Sequence, residues 1–166
     1  MKFDVVIIGG GASGMEALAK YSGRRVAVIS KGLSIHNVAH PATEGVSFFE
    51  GDSVTGAELR DGKVIAVTAE KMGRIEADEF VLATGKYFGG GIVADMTRVY
   101  EPIFGLDVEY EQDREKWFKE DFFAPQPFLD FGVKVDSKGH PSIGGVKIAN
   151  LVATGEVLSG NHKVIE

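Results

Sequence analysis

The sequence predicts an α/β fold in which a parallel β-sheet carries a small antiparallel β-meander. Short apolar runs, each about the length of a strand, recur along the chain and end at glycine, as the buried strands of parallel sheets do. A segment rich in helix-forming residues separates the first two runs, which is typical of a β-α-β unit. Further along, Asp61-Gly62 divides two strand-like segments and predicts a hairpin.

Length and composition restrict the class of protein. The chain has 166 residues, 44% of them hydrophobic and 25% charged, with a formal net charge of −6. A domain of this size buries about 68–70% of its unfolded surface, so a compact fold is expected. The acidic balance disfavours nucleic-acid binding. Because the chain has no cysteine, it forms no disulfide and ligates no iron–sulfur cluster, and we expect a protein of the reducing cytoplasm.

The first 30 residues predict a complete β-α-β unit. Phe3–Ile8 is a continuous apolar run and indicates a buried parallel strand. Ala12–Tyr21 is rich in helix formers, and Gly23 marks its end. Arg25–Ser30 is a second apolar strand, which gives the unit the usual length of about 30 residues.

The middle of the chain predicts the rest of the sheet. Val46–Glu50 is expected to be a short third strand. Ser53–Leu59 and Lys63–Thr68 form the predicted hairpin, and Arg74–Ala77 completes the meander. Glu79–Thr84 then returns as a buried strand.

The last part of the chain carries weaker signals. Lys86–Ile103 is expected to be irregular because it holds several glycines. Asp113–Asp121 predicts a short helix, and Gly132–Asp136 and Leu151–Thr154 predict the last strands. No repeat or linker divides the sequence, so residues 1–166 are predicted to be a single domain with a meander inserted at about 53–77.

A glycine-rich turn lies between the first predicted strand and the helix. The turn, Gly9-Gly10-Gly11-Ala12-Ser13-Gly14, satisfies the pattern G-x-G-x-x-G. In this pattern the first glycine allows a tight turn, the second lets backbone amides approach a phosphate, and the third lets the helix pack on the sheet. The motif predicts the phosphate-binding loop of a Rossmann-like domain, and a glycine turn without a ligand is the alternative.

The end of the second strand lacks the acidic residue that usually holds a ribose hydroxyl in such domains. Ser30 and Lys31 occupy that place, and Gly32 follows them. Three alternatives for a ligand site remain open. The ribose is bound by other residues, the ligand is a mononucleotide without adenosine, or Lys31 binds the 2′-phosphate of a nicotinamide cofactor. A solvated surface lysine is the interpretation without a ligand.

Two later strands end in the same turn of small residues. Ala83-Thr84-Gly85 follows one apolar strand, and Thr154-Gly155 follows the last strand, with Glu156 next. Turns of this kind lie at the carboxyl edge of the sheet, where ligands of open α/β folds bind. A carboxylate after the last turn can accept a hydrogen bond from a polyol hydroxyl. With the glycine-rich turn, these segments predict one ligand site.

Together these motifs resemble the flavoproteins of the two-motif, glutathione-reductase-like superfamily. Residues 80–160 contain FVLATGKYFGGGI, EPIFGLDV, DFFAPQPFLDFGVKVD and NLVATGEVLSG. These stretches are similar to the C-terminal half of the B-subunit of anaerobic glycerol-3-phosphate dehydrogenase, and the segment from Lys31 to His36 also resembles that family. The resemblance covers nearly the whole chain, in blocks of about 1–36 and 46–160.

The resemblance implies a flavin-binding electron-transfer subunit, with FMN as its cofactor and FAD as the alternative. FMN has no adenosine, which would account for the missing acid after the second strand; with FAD, the adenine is expected beside Val54. The motifs and the resemblance together place the following residues at the cofactor site: Gly9, Gly10, Gly11, Ala12, Ser13, Gly14, Ser30, Lys31, Gly32, Ser34, His36, Val54, Ala83, Thr84, Gly85, Gly155 and Glu156.

The resemblance also implies partners. The family's subunit pairs with a catalytic FAD subunit, and an iron–sulfur subunit passes electrons to membrane quinone, so that the complex oxidises glycerol 3-phosphate to dihydroxyacetone phosphate. We therefore expect a cytoplasmic subunit that reaches the inner membrane only through partners. The family has a long insertion before the meander and a helix after the last glycine motif. This sequence has a short loop and ends at Glu166, so the substrate-facing cap is expected to be absent.

Three further points complete the prediction. The four histidines show no metal-ligand spacing, and no catalytic acid or base is assigned. Six of the 11 phenylalanines and the single tryptophan fall within 104–131. This aromatic segment is expected to form either a satellite core or a partner-binding surface. Two other functions remain open, an NADP-binding Rossmann domain and an assembly subunit that has lost its cofactor.

Overall fold

The computed structural model describes residues 1–32, 45–121 and 123–160. These ranges contain the helix α1 (Ala12–Leu18) and short 3₁₀ turns at Ala19–Tyr21, Arg114–Lys116, Pro127–Asp130 and Gly155–Val157. The strands are β1 (Lys2–Ile8), β2 (Val26–Ser30), β3 (Val46–Glu50), β4 (Val54–Arg60), β5 (Lys63–Ala69), β6 (Gly73–Leu82), β7 (Val93–Ala94), β8 (Val99–Tyr100), β9 (Val108–Glu109), β10 (Gly132–Val133), β11 (Ser142–Ile143), β12 (Val146–Lys147) and β13 (Leu151–Ala153).

The main sheet has the order β3-β2-β1-β6-β5-β4, and β13 also pairs with β6. β1 lies parallel to β2 on one side and to β6 on the other, with Ile8 opposite both Ile29 and Leu82. α1 and its 3₁₀ turn fill the predicted helical span, so the β-α-β unit is confirmed. The carboxyl ends of β1, β2, β6 and β13 therefore lie at one edge of the sheet.

β6 connects the parallel and the antiparallel parts of the sheet. Its first residues, 73–76, pair antiparallel with β5, and residues 76–82 pair parallel with β1. β13 pairs with residues 80–82 of β6. The sequence predicted two strands here, Arg74–Ala77 and Glu79–Thr84. They form one strand because neither glycine nor proline interrupts the chain between Arg74 and Leu82.

The meander begins with the predicted hairpin. β4 and β5 pair antiparallel around Asp61 and Gly62, whose φ angles are +53° and +75°. Positive φ at both central residues is the geometry of a two-residue hairpin turn with the right-handed twist of its strands. The predicted fold class, a Rossmann-like parallel sheet with an antiparallel meander, is confirmed.

The core lies on both faces of the sheet. Val5 and Ile7 of β1 pack with Met15 and Leu18 of α1 on one face. On the other face, a larger cluster joins the sheet to the C-terminal segments, and Trp117 is completely buried in it. Because β1 is apolar on both faces, it is a central strand with cover on each side.

The C-terminal half consists of short hairpins and turns. The predicted helix at 113–121 is only the 3₁₀ turn at Arg114–Lys116, where the carboxylate of Asp113 accepts the N–H of Glu115. Within the aromatic segment, Phe131 is 6% exposed, whereas Phe123 is 93% exposed. The segment therefore contributes to both the core and the surface, and Phe122 lies outside the described residues. No helix of the described part is long and apolar enough to cross a membrane.

Candidate flavin-binding site

A cleft of about 1010 Å³ opens at the carboxyl edge of the sheet. Four strand ends form its base, because Gly9 follows β1, Ser30 ends β2, Ala83 follows β6 and Thr154 follows β13. Ligands of open α/β sheets bind at this edge, where the loops after the parallel strands converge. The cleft is therefore the candidate site.

The glycine-rich turn after β1 is shaped by close backbone packing. Gly9 has a φ of +115°, and a Cβ on it would overlap the carbonyl oxygen of Ala83. A Cβ on Gly14 would overlap the carbonyl oxygen of Gly9. These two glycines let the turn, α1 and the end of β6 approach one another, as the first and third glycines of the motif were expected to do.

Gly11 has a different environment. A Cβ on Gly11 would meet no atom within 4 Å, and Gly11 itself lines the cleft together with Gly10 and Ala12. No side chain caps α1, whose N-cap is Gly11. The turn thus presents bare backbone to the cleft, which fits a phosphate group that must approach main-chain N–H donors.

The segment after β13 packs directly on the glycine-rich turn. A Cβ on Gly155 would overlap the hydroxyl oxygen of Ser13, and Gly155 has a φ of +81°. Glu156 follows and lines the cleft. The first and last predicted motifs are therefore in contact, although more than 130 residues separate them.

The segment after β6 forms the facing wall. Gly91 lies so close to this segment that a Cβ on it would overlap the carbonyl oxygen of Gly85. The hydroxyl oxygen of Thr84 is buried and has no hydrogen-bond partner among the described residues. A buried hydroxyl without a partner is costly, and a polar group of a bound ligand would satisfy it.

Lys86 fixes this wall to the C-terminal segments. Its Nζ donates hydrogen bonds to the carbonyl oxygens of Phe131, at 2.6 Å, and Leu158, at 2.9 Å. Burial lowers the pKa of Lys86, and the carboxylates of Asp130 and Glu156 oppose this shift. The ammonium group therefore holds the loop after β6 against the residue before β10 and the segment after β13.

A buried carboxylate shapes the outer part of the same wall. Glu101 is 2% exposed and accepts the backbone N–H groups of Ile103, at 2.6 Å, and Phe104, at 2.8 Å. Burial raises the pKa of Glu101, and these hydrogen bonds oppose the shift. The turn that Glu101 stabilises places Pro102 and Ile103 on the cleft.

The opposite end of the cleft lies between β2 and the meander. Ser30, Lys31 and Gly32 line it on one side, and Ser53, Val54, Thr55 and Glu70 line it on the other. The backbone N–H of Asp52 donates to the carbonyl oxygen of Ser30 at 3.0 Å, which joins the two sides. Val54 thus belongs to the same cleft as the glycine-rich turn.

Lys31 reaches across the mouth of the cleft. Its side chain is exposed, and its Nζ lies 3.5 Å from the carbonyl oxygen of Gly89, in the loop after β6. The cation therefore stands over the space between the end of β2 and this loop. A negatively charged ligand in the cleft would meet it.

The structure brings nearly all the predicted site residues together. Every predicted residue within the described ranges lines the cleft except Gly14, which is buried in the packing of α1. Ser34 and His36 lie outside the described residues. Thirteen lining residues were not among the predicted ones: Ile8, Glu16, Ile29, Asp52, Ser53, Thr55, Glu70, Gly89, Gly90, Val93, Pro102, Ile103 and Thr154.

Some of these residues carried a signal in the sequence. Ser53 and Thr55 flank the predicted Val54, and Gly89 and Gly90 belong to a glycine cluster. Asp52 and Glu70 carried no such signal in the sequence, because their position at the cleft depends on how the meander folds against β2. Of the histidines, His140 is placed by a 2.8 Å contact between its Nδ1 and the carbonyl oxygen of Leu151. The described residues hold no group of three or more His, Asp or Glu side chains suited to a metal ion.

A parallel sheet with a glycine-rich turn after its first strand, and a meander that leads into its central strand, defines a Rossmann-like nucleotide-binding protein. The chain belongs to the FAD binding domain family, whose pattern it matches over residues 35–166. A flavin is thus the cofactor class, as the sequence predicted. T. acidophilum thioredoxin reductase has a similar fold, with a TM-score of 0.51 over 96% of this chain and 91% of that one, at 18% identity.

Three curated relatives of the chain have the same protein name. The chain is 49% identical over 86 residues to the B-subunit of anaerobic glycerol-3-phosphate dehydrogenase from Pectobacterium carotovorum, a match that covers 52% of this chain and 20% of the relative. The Yersinia pseudotuberculosis protein of the same name is 43% identical over 66% of this chain and 26% of its own length. The Vibrio vulnificus protein of the same name is 35% identical, in a match that covers 74% of this chain and 29% of the relative. The predicted resemblance is confirmed, and the chain spans about a fifth to three-tenths of these relatives.

Proposed function

We propose that the chain is the flavin-binding domain of an electron-transfer subunit in a multisubunit dehydrogenase. The observation that carries the proposal is one continuous cleft, which joins the glycine-rich turn, the unpartnered hydroxyl of Thr84 and the wall beside Val54. When bound, a flavin accepts and releases electrons, and the protein supplies its binding and environment. We assign no catalytic acid or base.

We further propose that the flavin is FAD. The cleft continues from the glycine-rich turn to the gap between Ser30 and Val54, and its volume is about 1010 Å³. FMN would use the turn and the walls after β6 and β13, and it would leave the end beside the meander empty. An adenosine half fits that end, and the FAD binding domain family favours the same choice.

The residues that line the cleft divide into three groups under this proposal. Gly9–Ser13 would hold the pyrophosphate on bare backbone. Ser30–Gly32 and Val54 would surround the adenosine, and the segments at Ala83–Gly85 and Gly155–Glu156 would flank the rest of the flavin. Gly14 would act by packing, since it does not line the cleft.

The relatives support a place in a complex. Their name is that of the B-subunit of anaerobic glycerol-3-phosphate dehydrogenase, so we propose that this chain works with other subunits, including a catalytic FAD subunit and an iron–sulfur subunit. Oxidation of glycerol 3-phosphate would then belong to the complex. Membrane quinone would receive the electrons through the partners, from the cytoplasmic side of the inner membrane.

The visible absorption spectrum of the purified chain tests the cofactor directly. We expect a yellow protein, or a colourless one that becomes yellow on addition of FAD. Acid release followed by chromatography should then identify FAD in near-stoichiometric amount. Release of FMN alone would contradict the choice of flavin. A chain that takes up neither flavin would contradict the proposed function and favour an assembly role without a cofactor.

One observation favours a second candidate, an NADP-binding domain. The exposed ammonium group of Lys31 stands at the cleft, beside the position where an acid usually selects an unphosphorylated ribose. Tight binding of NADPH without any flavin, lost in Lys31→Ala, would support this candidate. Equal binding of NADPH by wild type and Lys31→Ala would reject Lys31 as the residue that binds the 2′-phosphate, and no binding of NADPH by wild type would reject the candidate.

A further inference from the structure

The turn between β5 and β6 places a carboxylate on the wall of the cleft. Glu70 is exposed and lines the cleft together with Ser53 and Val54. Its backbone N–H donates to the carbonyl oxygen of Ser53 at 2.9 Å, so the residue is fixed to the start of the meander. The end of β2 offers Ser30 and Lys31 in place of an acid.

A second carboxylate, that of Asp52, holds this turn in place. Asp52 is 3% exposed, and its Oδ1 accepts the N–H groups of Ser53, at 2.8 Å, and Lys71, at 2.9 Å. Its Oδ2 accepts the N–H of Met72 at 3.1 Å. Asp52 therefore fixes the two residues that follow Glu70, and its backbone N–H at the same time binds Ser30.

The two carboxylates have different chemical capacities. Both oxygens of Asp52 already accept backbone donors, and the side chain is buried, so it does not replace the missing acid after β2. Glu70 is exposed to the cleft, and an ionised carboxylate can accept hydrogen bonds from a pair of vicinal hydroxyls.

We infer that Glu70 binds the ribose hydroxyls of the adenosine half of the cofactor, and that Asp52 positions it by fixing the turn between β5 and β6. This inference rests on the proposed function, since it requires a flavin that carries adenosine. The acid that usually ends the second strand is thus supplied from the meander, on the opposite wall of the same end of the cleft.

Flavin titrations of matched variants test the inference. Glu70→Gln keeps the size of the side chain and removes its charge, and Glu120→Gln removes a charge from an exposed residue that does not line the cleft. Because Glu70→Gln replaces charge-assisted hydrogen bonds with weaker neutral ones, it should weaken FAD binding roughly tenfold or more. FMN binding should change less than about twofold, and Glu120→Gln should change neither.

The role of Asp52 has its own control. Asp107 also accepts two backbone N–H groups and one side-chain donor, at 2.8 Å each, but it holds the turn between β11 and β12 outside the cleft. Asp52→Asn should lower FAD affinity and spare FMN, whereas Asp107→Asn should spare both. In a Glu70→Gln background, Asp52→Asn should add little, because it acts through Glu70.

A probe of the ribose itself gives a readout that loss of stability would not move. ADP should bind more tightly than 2′-deoxy-ADP or 3′-deoxy-ADP, and Glu70→Gln should remove this discrimination. Unchanged FAD affinity in Glu70→Gln, or an equal loss for FAD and FMN, would overturn the inference. A wild-type chain that binds FMN but not FAD would overturn it and leave a flavin function standing. A wild-type chain that binds neither would overturn both.

Discussion

Gly9 packs so closely on the end of β6 that a Cβ on it would overlap the carbonyl oxygen of Ala83. This contact fixes the turn after β1 to the end of β6, and both segments line the cleft. Gly9→Ala should destabilise the fold by roughly 2–5 kcal/mol, because the clash adds to the strain of a φ of +115°. Urea unfolding of the variant and of wild type measures the difference. A loss below about 0.5 kcal/mol would contradict the packing described.

Gly11 lies two residues further along and should respond in the opposite way. Gly11→Ala should fold normally, because its φ is −80° and a Cβ there would meet nothing within 4 Å. The new methyl group would occupy the space that a phosphate needs, so flavin affinity should fall roughly tenfold or more, which corresponds to about 1.4 kcal/mol. Titration with FAD and a thermal melt of the same sample measure the two effects.

Gly56 provides the matched control for Gly11. It lies on β4 outside the cleft, and a Cβ on it would also meet nothing within 4 Å. Gly56→Ala should therefore keep both stability and flavin affinity. Equal flavin affinity in the Gly11 and Gly56 variants would reject the turn as the phosphate site.

Local sequence patterns predicted the buried strands, the hairpin and the glycine-rich turn, because each of these features is determined by a few consecutive residues. A strand that is apolar on both faces, such as β1, must be buried in a parallel sheet, and Asp61-Gly62 can form the hairpin turn by itself. The glycine-rich turn was predicted for the same reason, since the pattern that defines it lies within six consecutive residues. These features need no knowledge of distant parts of the chain.

The supports of the site depend on distant contacts, so the sequence did not predict them. Asp52 binds residues 71 and 72, and Lys86 binds the carbonyl oxygens of residues 131 and 158. No spacing rule links these positions. The predicted helix at 113–121 failed similarly, because Trp117 packs completely into the core and overrides the helical propensity of its neighbours.

Lys86 should be required for the shape of the cleft. Lys86→Met keeps most of the side-chain volume but leaves the carbonyl oxygens of Phe131 and Leu158 without their donor. An unsatisfied buried group costs about 1–3 kcal/mol, so the variant should lose stability of this order and bind flavin more weakly. Thermal unfolding and flavin titration measure both effects.

Lys2 offers a comparison with the same substitution. It forms an exposed ion pair with Asp78 at 4.0 Å, and such pairs contribute about 0–1 kcal/mol. Lys2→Met should therefore leave flavin binding unchanged. If Lys86→Met behaved like Lys2→Met, the two hydrogen bonds of Lys86 would have no role in holding the cleft.

Within the aromatic segment, we expect the buried side chains to stabilise the fold and the exposed ones to contribute to assembly with partners. Phe131→Ala should cost about 3–5 kcal/mol, because the ring is 6% exposed and packs on Trp117. Phe123→Ala should change stability by less than about 0.5 kcal/mol, because that ring is 93% exposed. If this surface binds the proposed partner subunits, Phe123→Ala should reduce their co-purification without lowering the melting temperature. A collapse of the melting temperature in Phe123→Ala would assign the residue to the core.

Asp136 should make the stability of the chain depend on acidic pH. Hydrogen bonds from the backbone N–H of His140 and from Lys147 lower the pKa of Asp136 from 3.8 to about 2. The folded state thus favours the ionised form, which stabilises the protein above pH 3.8 and loses this effect as the pH falls towards 2. The difference in unfolding free energy between wild type and Asp136→Asn should therefore shrink over this range.

Lys147→Met separates the two sources of this pKa shift. It removes the side-chain donor and leaves the backbone N–H of His140, which is the larger cause, so a reduced pH dependence should persist. The turn at Asp136 also supports the site, because the carbonyl oxygen of Gly139 accepts the N–H of Ala153 in β13 at 3.0 Å. Carbon-13 NMR of the carboxyl groups measures the pKa of Asp136 in each chain. A wild-type value close to 3.8 would show that these hydrogen bonds do not favour the ionised form.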